Sequence, residues 1–168
     1  ETLLAHISPT GQVPSNVSVD SGKPDYSGVG GICSIDSALW FFIAFHNYVR
    51  VSGDLPLLRA SAAKLEKAMN WLAAHDSNND GLLEIPEAGD WTDLFARSYN
   101  VLYDEVLWYR TLICYGRLLE FLGKFRSATE YFRQAQFVRA QILDSFWPDT
   151  QRSGPFAQRQ FSLGDVCY

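Results

Sequence analysis

The sequence predicts an all-α domain, with helical hairpins arranged in an inner and an outer layer. Three observations carry that expectation. Four stretches space their apolar residues with the period of a helix. Two of them are apolar almost all round and two on one stripe only, in alternating order along the chain. No stretch shows the strict alternation of apolar and polar residues that marks a half-buried strand.

The elements follow in order. Residues 1–33 are rich in Gly, Pro and Ser, as in SPTGQVPSN and DSGKPDYSGVGG, and read as loop. A first helix starts at Ser34, an N-cap residue, with Asp36 in the first turn where the helix dipole favours a carboxylate. It runs to Val51, stops at Ser52-Gly53, and should be buried on most sides. A second helix spans Pro56 to Ala74, since Pro is tolerated in a first turn. Its stripe is Leu58, Ala62, Leu65, Met69 and Leu72, with Arg59, Lys64, Lys67 and Asn70 facing away. Residues 75–101 form a long loop. A third, mostly apolar helix runs from Tyr103 to Leu122 and ends at Gly123, a C-cap residue. A fourth runs from Arg126 to Phe146 with Ala128, Tyr131, Phe132, Ala135, Val138 and Ile142 on one face. A toroid of paired helices and a helical solenoid both have this inner-outer order. The 34 and 103 starts are about twice a tetratricopeptide period apart, which weakens the solenoid.

Composition bounds the function. The chain has 168 residues, the size of one domain, and 47% hydrophobic against 20% charged residues, which is globular. A net charge of −5 argues against a nucleic-acid surface. The longest apolar run, Leu39 to Phe45, is far short of a membrane span, and no signal peptide is visible. Cys33, Cys114 and Cys167 form neither a disulfide framework nor a zinc pattern, so a reducing, cytoplasmic setting is expected. The chain begins with Glu1 and stops short after Phe161 to Tyr168, so residues 1–168 are expected to be a fragment of one larger domain.

Three constellations carry chemistry. DSNNDGLLEIPE, Asp76 to Glu87, fits the twelve-residue calcium-loop pattern in full. Asp76, Asn78 and Asp80 would offer oxygens at positions one, three and five, Leu82 its carbonyl, Glu84 position nine and Glu87 a bidentate carboxylate at twelve. Calcium is the ion such a loop would take. The same residues also read as an ion-free Asx turn. The second constellation, GDWTDLFARSYNVLYDEVLWY, mixes carboxylates with aromatic rings as the wall of a sugar pocket does. Asp90 and Asp93 flank Trp91; Asp104 and Glu105 open a helix, where acidic residues are favoured in any case. The third is SIDSALWFF, with Asp36 at a helix start and Trp40 one turn on. His46, within the apolar helix, reads as a satisfied core residue.

Taken together, GQVPSN, SIDSALWFFIAFHNY…SGD, DGLLE…GDWTD and YDEVLWY resemble glycogen-debranching-type amylo-alpha-1,6-glucosidases, and are similar to neutral invertases. Both families are six-hairpin glycosidases with an (α/α)6 toroid, and the resemblance spans residues 11–147. It implies carbohydrate metabolism: cleavage of α-glucosidic linkages in an oligo- or polysaccharide by general acid/base catalysis. It matches Asp93 to the proton donor, its pKa raised by burial against Trp91. It places Asp36 and Trp40 near the bound sugar, with Trp91 flanking it; Asp90, beside Trp91, is a further candidate for substrate binding. Tyr103 and Glu105 stand where the families have Glu and Asn or Gln, so the contacts to substrate there, and the choice between debranching and sucrose hydrolysis, stay open. The second carboxylate of such families comes late; none of Asp144, Asp149 or Asp165 fits it, so the isolated chain is expected to be inactive. A helical-repeat scaffold that binds a protein partner is the competing expectation from another class.

Overall fold

The computed structural model describes residues 2–91 and 97–146. The all-α class holds. Four long helices dominate: α2 (Asp36–Ser52), α3 (Leu55–Ala73), α4 (Leu102–Phe121) and α5 (Phe125–Phe146). A short helix, α1 (Thr2–Ala5), and a two-stranded antiparallel hairpin, β1 (Asn16–Val17) with β2 (Pro24–Asp25), precede them.

Helix boundaries follow from capping. α2 stops because Gly53 takes a left-handed φ of 69°, and its N–H bonds the Val49 carbonyl. At its start Ser34 does not cap. Its hydroxyl donates instead to Asp36 Oδ1 at 2.9 Å, and Ile35 holds the cap position without a side-chain bond. α3 starts where Asp54 Oδ1 accepts the Leu57 N–H at 3.0 Å, with Pro56 in the first turn. α4 and α5 are joined by a tight turn at Gly123, with φ at 76°.

α4 packs along α5 and against α2, and α2 also meets α3. The two apolar helices thus lie side by side, flanked by the two amphipathic ones. Gly116 is required at the α4–α5 contact: a Cβ there would lie 2.5 Å from the Phe132 ring. The core holds Leu39, Phe42, Leu58, Leu65, Met69, Leu72, Trp108, Leu112 and Leu118, each burial contributing about 1.5–3 kcal/mol. Phe42 meets Tyr115 edge-on, and Tyr115 meets Tyr131 likewise.

α2 and α4 are buried on most sides, as expected, each leaving one exposed stripe: Trp40, Tyr48 and Val51 on α2, and Leu102, Val106 and Phe121 on α4. One expectation needs correction: residues 1–33 are more than loop. Gln12 Nε2 donates to the Tyr26 carbonyl, Tyr26 Oη to the His6 carbonyl, and Lys64 Nζ to the Leu4 and Ala5 carbonyls at the end of α1. His46 is buried as expected, but its Nδ1 has no partner. Among the described residues no helix is long and apolar enough to cross a membrane.

Candidate functional site

The first turns of α2 and α4 come together beneath the loop that carries Trp91. The Ile35 N–H bonds the Gly89 carbonyl at 2.9 Å and fixes that loop over the start of α2. Asp36, 8% exposed, then receives three donors: Ser34 Oγ on Oδ1, Tyr103 Oη on Oδ2 at 3.3 Å, and the Trp91 backbone N–H. Tyr103 Oη in turn accepts from Trp40 Nε1 at 2.8 Å. Trp91 lies edge-on to the Tyr103 ring, 6.2 Å between centroids. Trp40 is 49% exposed and Trp91 68%. Two exposed indoles therefore meet the tyrosine that bonds a sheltered carboxylate. Burial pushes Asp36 above its ordinary value, opposed by the Ser34 and Tyr103 hydrogen bonds. Such a surface can stack the apolar C–H face of a ring and accept its hydroxyls.

A second group of charges lies beside it. Asp90 is buried, and its Oδ2 accepts from Arg97 Nη2 at 2.5 Å, an ion pair joining the two ends of segment 91–96. Asp104, in the first turn of α4, is 0% exposed, and among the described residues no N–H or O–H donor reaches either of its oxygens. It faces the Asp90 carboxyl, and two carboxyls can hydrogen-bond only through a proton. Burial first, then the charges of Asp90 and Asp36, push Asp104 up to about 8, with Arg97 acting in the opposite direction.

Glu105 points elsewhere. It is 0% exposed, and both of its oxygens accept the Leu83 N–H, at 2.9 and 3.2 Å. Its carboxyl thus pins the loop after α3 rather than facing the exposed rings, so the expected substrate contact is replaced by an anchoring one. Trp108 Nε1 donates to the Gly81 carbonyl and Asn100 Nδ2 to the Leu83 carbonyl, completing the anchorage to α4. Gly81, with φ at 90°, lies so close to Phe137 of α5 that a Cβ would meet the ring at 2.6 Å.

The loop itself gathers Asp76, Asp80 and Glu84, with candidate ligand oxygens within 4.8 Å of one another. Asp76 Oδ1 and Glu84 Oε1 are buried without a donor, so the donor set fits a hard cation. The remaining predicted ligands stand differently. Asn78 spends its Oδ1 on the Asp80 N–H, and its Nδ2 on Asp80 Oδ2 and Tyr99 Oη. Leu82 is buried, its N–H on Asp80 Oδ1. Glu87 is exposed and outside the cluster. Ile85 pairs with Tyr99 in a β-bridge, and Pro86–Gly89 turn back on themselves, so no exiting helix returns position twelve to the loop.

The structure thus brings Asp36, Trp40, Trp91 and Tyr103 together, with Asp90 beside them. Asp93 lies outside the described residues. Asp104 is the member that the sequence concealed, because an acid in a first helical turn reads as a dipole partner. Comparison with family models, with curated proteins and with solved structures returned no significant match.

Proposed function

We propose that this chain is part of the catalytic domain of a glycoside hydrolase that cleaves α-glucosidic linkages, of the glycogen-debranching type and built on an (α/α)6 toroid. One observation supports it above the rest: Tyr103, which hydrogen-bonds Asp36, also meets the exposed side chains of Trp40 and Trp91. Sugars are held by such pairings of flat apolar surface and carboxylate, the rings taking the C–H face and the carboxylate fixing the hydroxyls. Asp93, two residues after Trp91, is the general acid in this reading, on the strength of its place in the sequence motif. The base comes from outside these residues. Sucrose hydrolysis uses the same chemistry and is separated from debranching by substrate.

In the same reading Asp76, Asp80 and Glu84 hold a structural calcium ion that stiffens the loop against α4. Cys33 and Cys114, free of any disulfide, support a reducing, cytoplasmic setting.

Titration of the chain with isomaltose, followed by tryptophan fluorescence, tests the binding half. Quenching that is lost in both Trp40→Phe and Trp91→Phe is the expected result. Quenching that persists in both, or no response to any α-glucoside, would remove the sugar surface.

A further inference from the structure

The Asp90–Asp104 contact does work that the sugar reading does not require. Asp104 has no exposed surface and no donor, so as an anion it would be both desolvated and set against the Asp90 charge. Asp90 is differently placed, since Arg97 already compensates its charge. The proton of the pair therefore resides on Asp104, and Asp104 donates it to Asp90. We propose that Asp104 is a positioning residue: by sharing one proton with Asp90 it holds Asp90 toward Arg97 and so fixes the loop that presents Trp91 to Tyr103 and Asp36. The sugar-binding consequence rests on the reading above; the proton sharing does not.

A divalent cation is the obvious rival for three neighbouring acids. The close-set acidic group among the described residues is Asp76, Asp80 and Glu84; Asp36, Asp90 and Asp104 do not converge in that way. Among the described residues, the groups acting on Asp104 are Asp90 and Arg97 from the loop and Asp36 from α2, with Tyr103 and Glu105 adjacent to it in its own helix. Of these only Arg97 is positive, and it keeps a buried Nε–H without an acceptor. Loss of the proton would thus leave Asp104 competing with Asp90 for Arg97. The Asp90–Arg97 pair would loosen, and Trp91 with it.

The test is a carboxyl-carbon NMR titration of the chain labelled at aspartate, with isomaltose affinity measured across the same pH range. One aspartate should stay protonated at neutral pH and titrate above about pH 7. That signal should vanish in Asp104→Asn. Its midpoint should fall in Asp90→Asn, which removes a like charge, and rise in Arg97→Gln, which removes an opposite one. Isomaltose affinity should drop at least about threefold through that midpoint and become independent of pH in Asp104→Asn, whose amide still donates to Asp90. Aspartates that all titrate below about pH 6, or a high-titrating signal that survives Asp104→Asn, would overturn the shared proton. The expected titration with pH-independent sugar affinity would overturn the positioning role. The expected titration with no sugar bound at any pH would sink the carbohydrate reading and its positioning consequence together, leaving the acid pair standing.

Discussion

Trp40 Nε1 donates to Tyr103 Oη at 2.8 Å, and the Tyr103 hydroxyl donates in turn to Asp36 Oδ2 at 3.3 Å. One phenol thereby ties α2 to α4, 63 residues apart in sequence. It also links an exposed indole to a sheltered carboxylate. Tyr103→Phe removes both bonds with little change in volume. The expected outcome is an isomaltose affinity lower by about tenfold, as for loss of a hydrogen bond to a charged acceptor, with the helical circular dichroism unchanged. Unchanged affinity would show that Asp36 is oriented by Ser34 and Trp91 alone.

Glu105 is the anchor between the acidic loop after α3 and helix α4. Glu105→Ala orphans the Leu83 N–H and opens a cavity where a fully buried side chain stood. Urea unfolding should show a loss of about 2–4 kcal/mol. Glu105→Gln, which keeps the volume and an acceptor, should lose less than half of that. Equal losses would mean that the carboxyl's bond to Leu83 matters less than the space it fills.

Added calcium should raise the melting temperature without changing the helical signal, because the loop is already pinned by Trp108, Asn100 and Glu105. At a free concentration about a hundred times the dissociation constant the gain is about 2.7 kcal/mol. Asp80→Asn with Glu84→Gln should abolish it. A large conformational change on adding calcium would instead indicate a sensor.

Asp104 makes stability depend on pH. Its folded value, about 8, lies above the ordinary 3.8, so the folded chain holds a proton that the unfolded chain releases. The contribution is therefore complete below about pH 4 and is lost as pH rises through the folded value, at roughly 1.4 kcal/mol per pH unit between the two. Stability measured from pH 5 to 8 should fall more steeply in the native chain than in Asp104→Asn. Parallel slopes would contradict the buried proton.

How much of this the sequence announces depends on where each partner lies. The stripes of α3 and α5 are legible because their period is local, and Leu58, Leu65, Met69 and Leu72 are buried as spaced. Gly53 and Gly123 are legible as helix ends because both take a positive φ. The start of α2 is less so: the Ser34 hydroxyl could accept a first-turn N–H as a cap or donate to the neighbouring Asp36 carboxylate, and the donation prevails. Asp104 and Glu105 are illegible for a further reason. Adjacent in sequence and both suited to a helix start, they turn to different loop segments, Asp104 to Asp90 and Glu105 to Leu83. Nothing in a one-dimensional pattern separates them. Residues 1–33 owe their hairpin to side-chain bonds such as Gln12 to Tyr26 and Ser15 to Ser27, which leave no periodic trace.

The most direct measurement is glucose release from branched α-1,6-linked dextrins by the full-length protein, with sucrose in parallel and Asp93→Asn as control. The account predicts release from the dextrins that falls at least about a hundredfold in the variant, the contribution expected of a general acid. No release from any α-glucoside, or release that Asp93→Asn leaves intact, would contradict it.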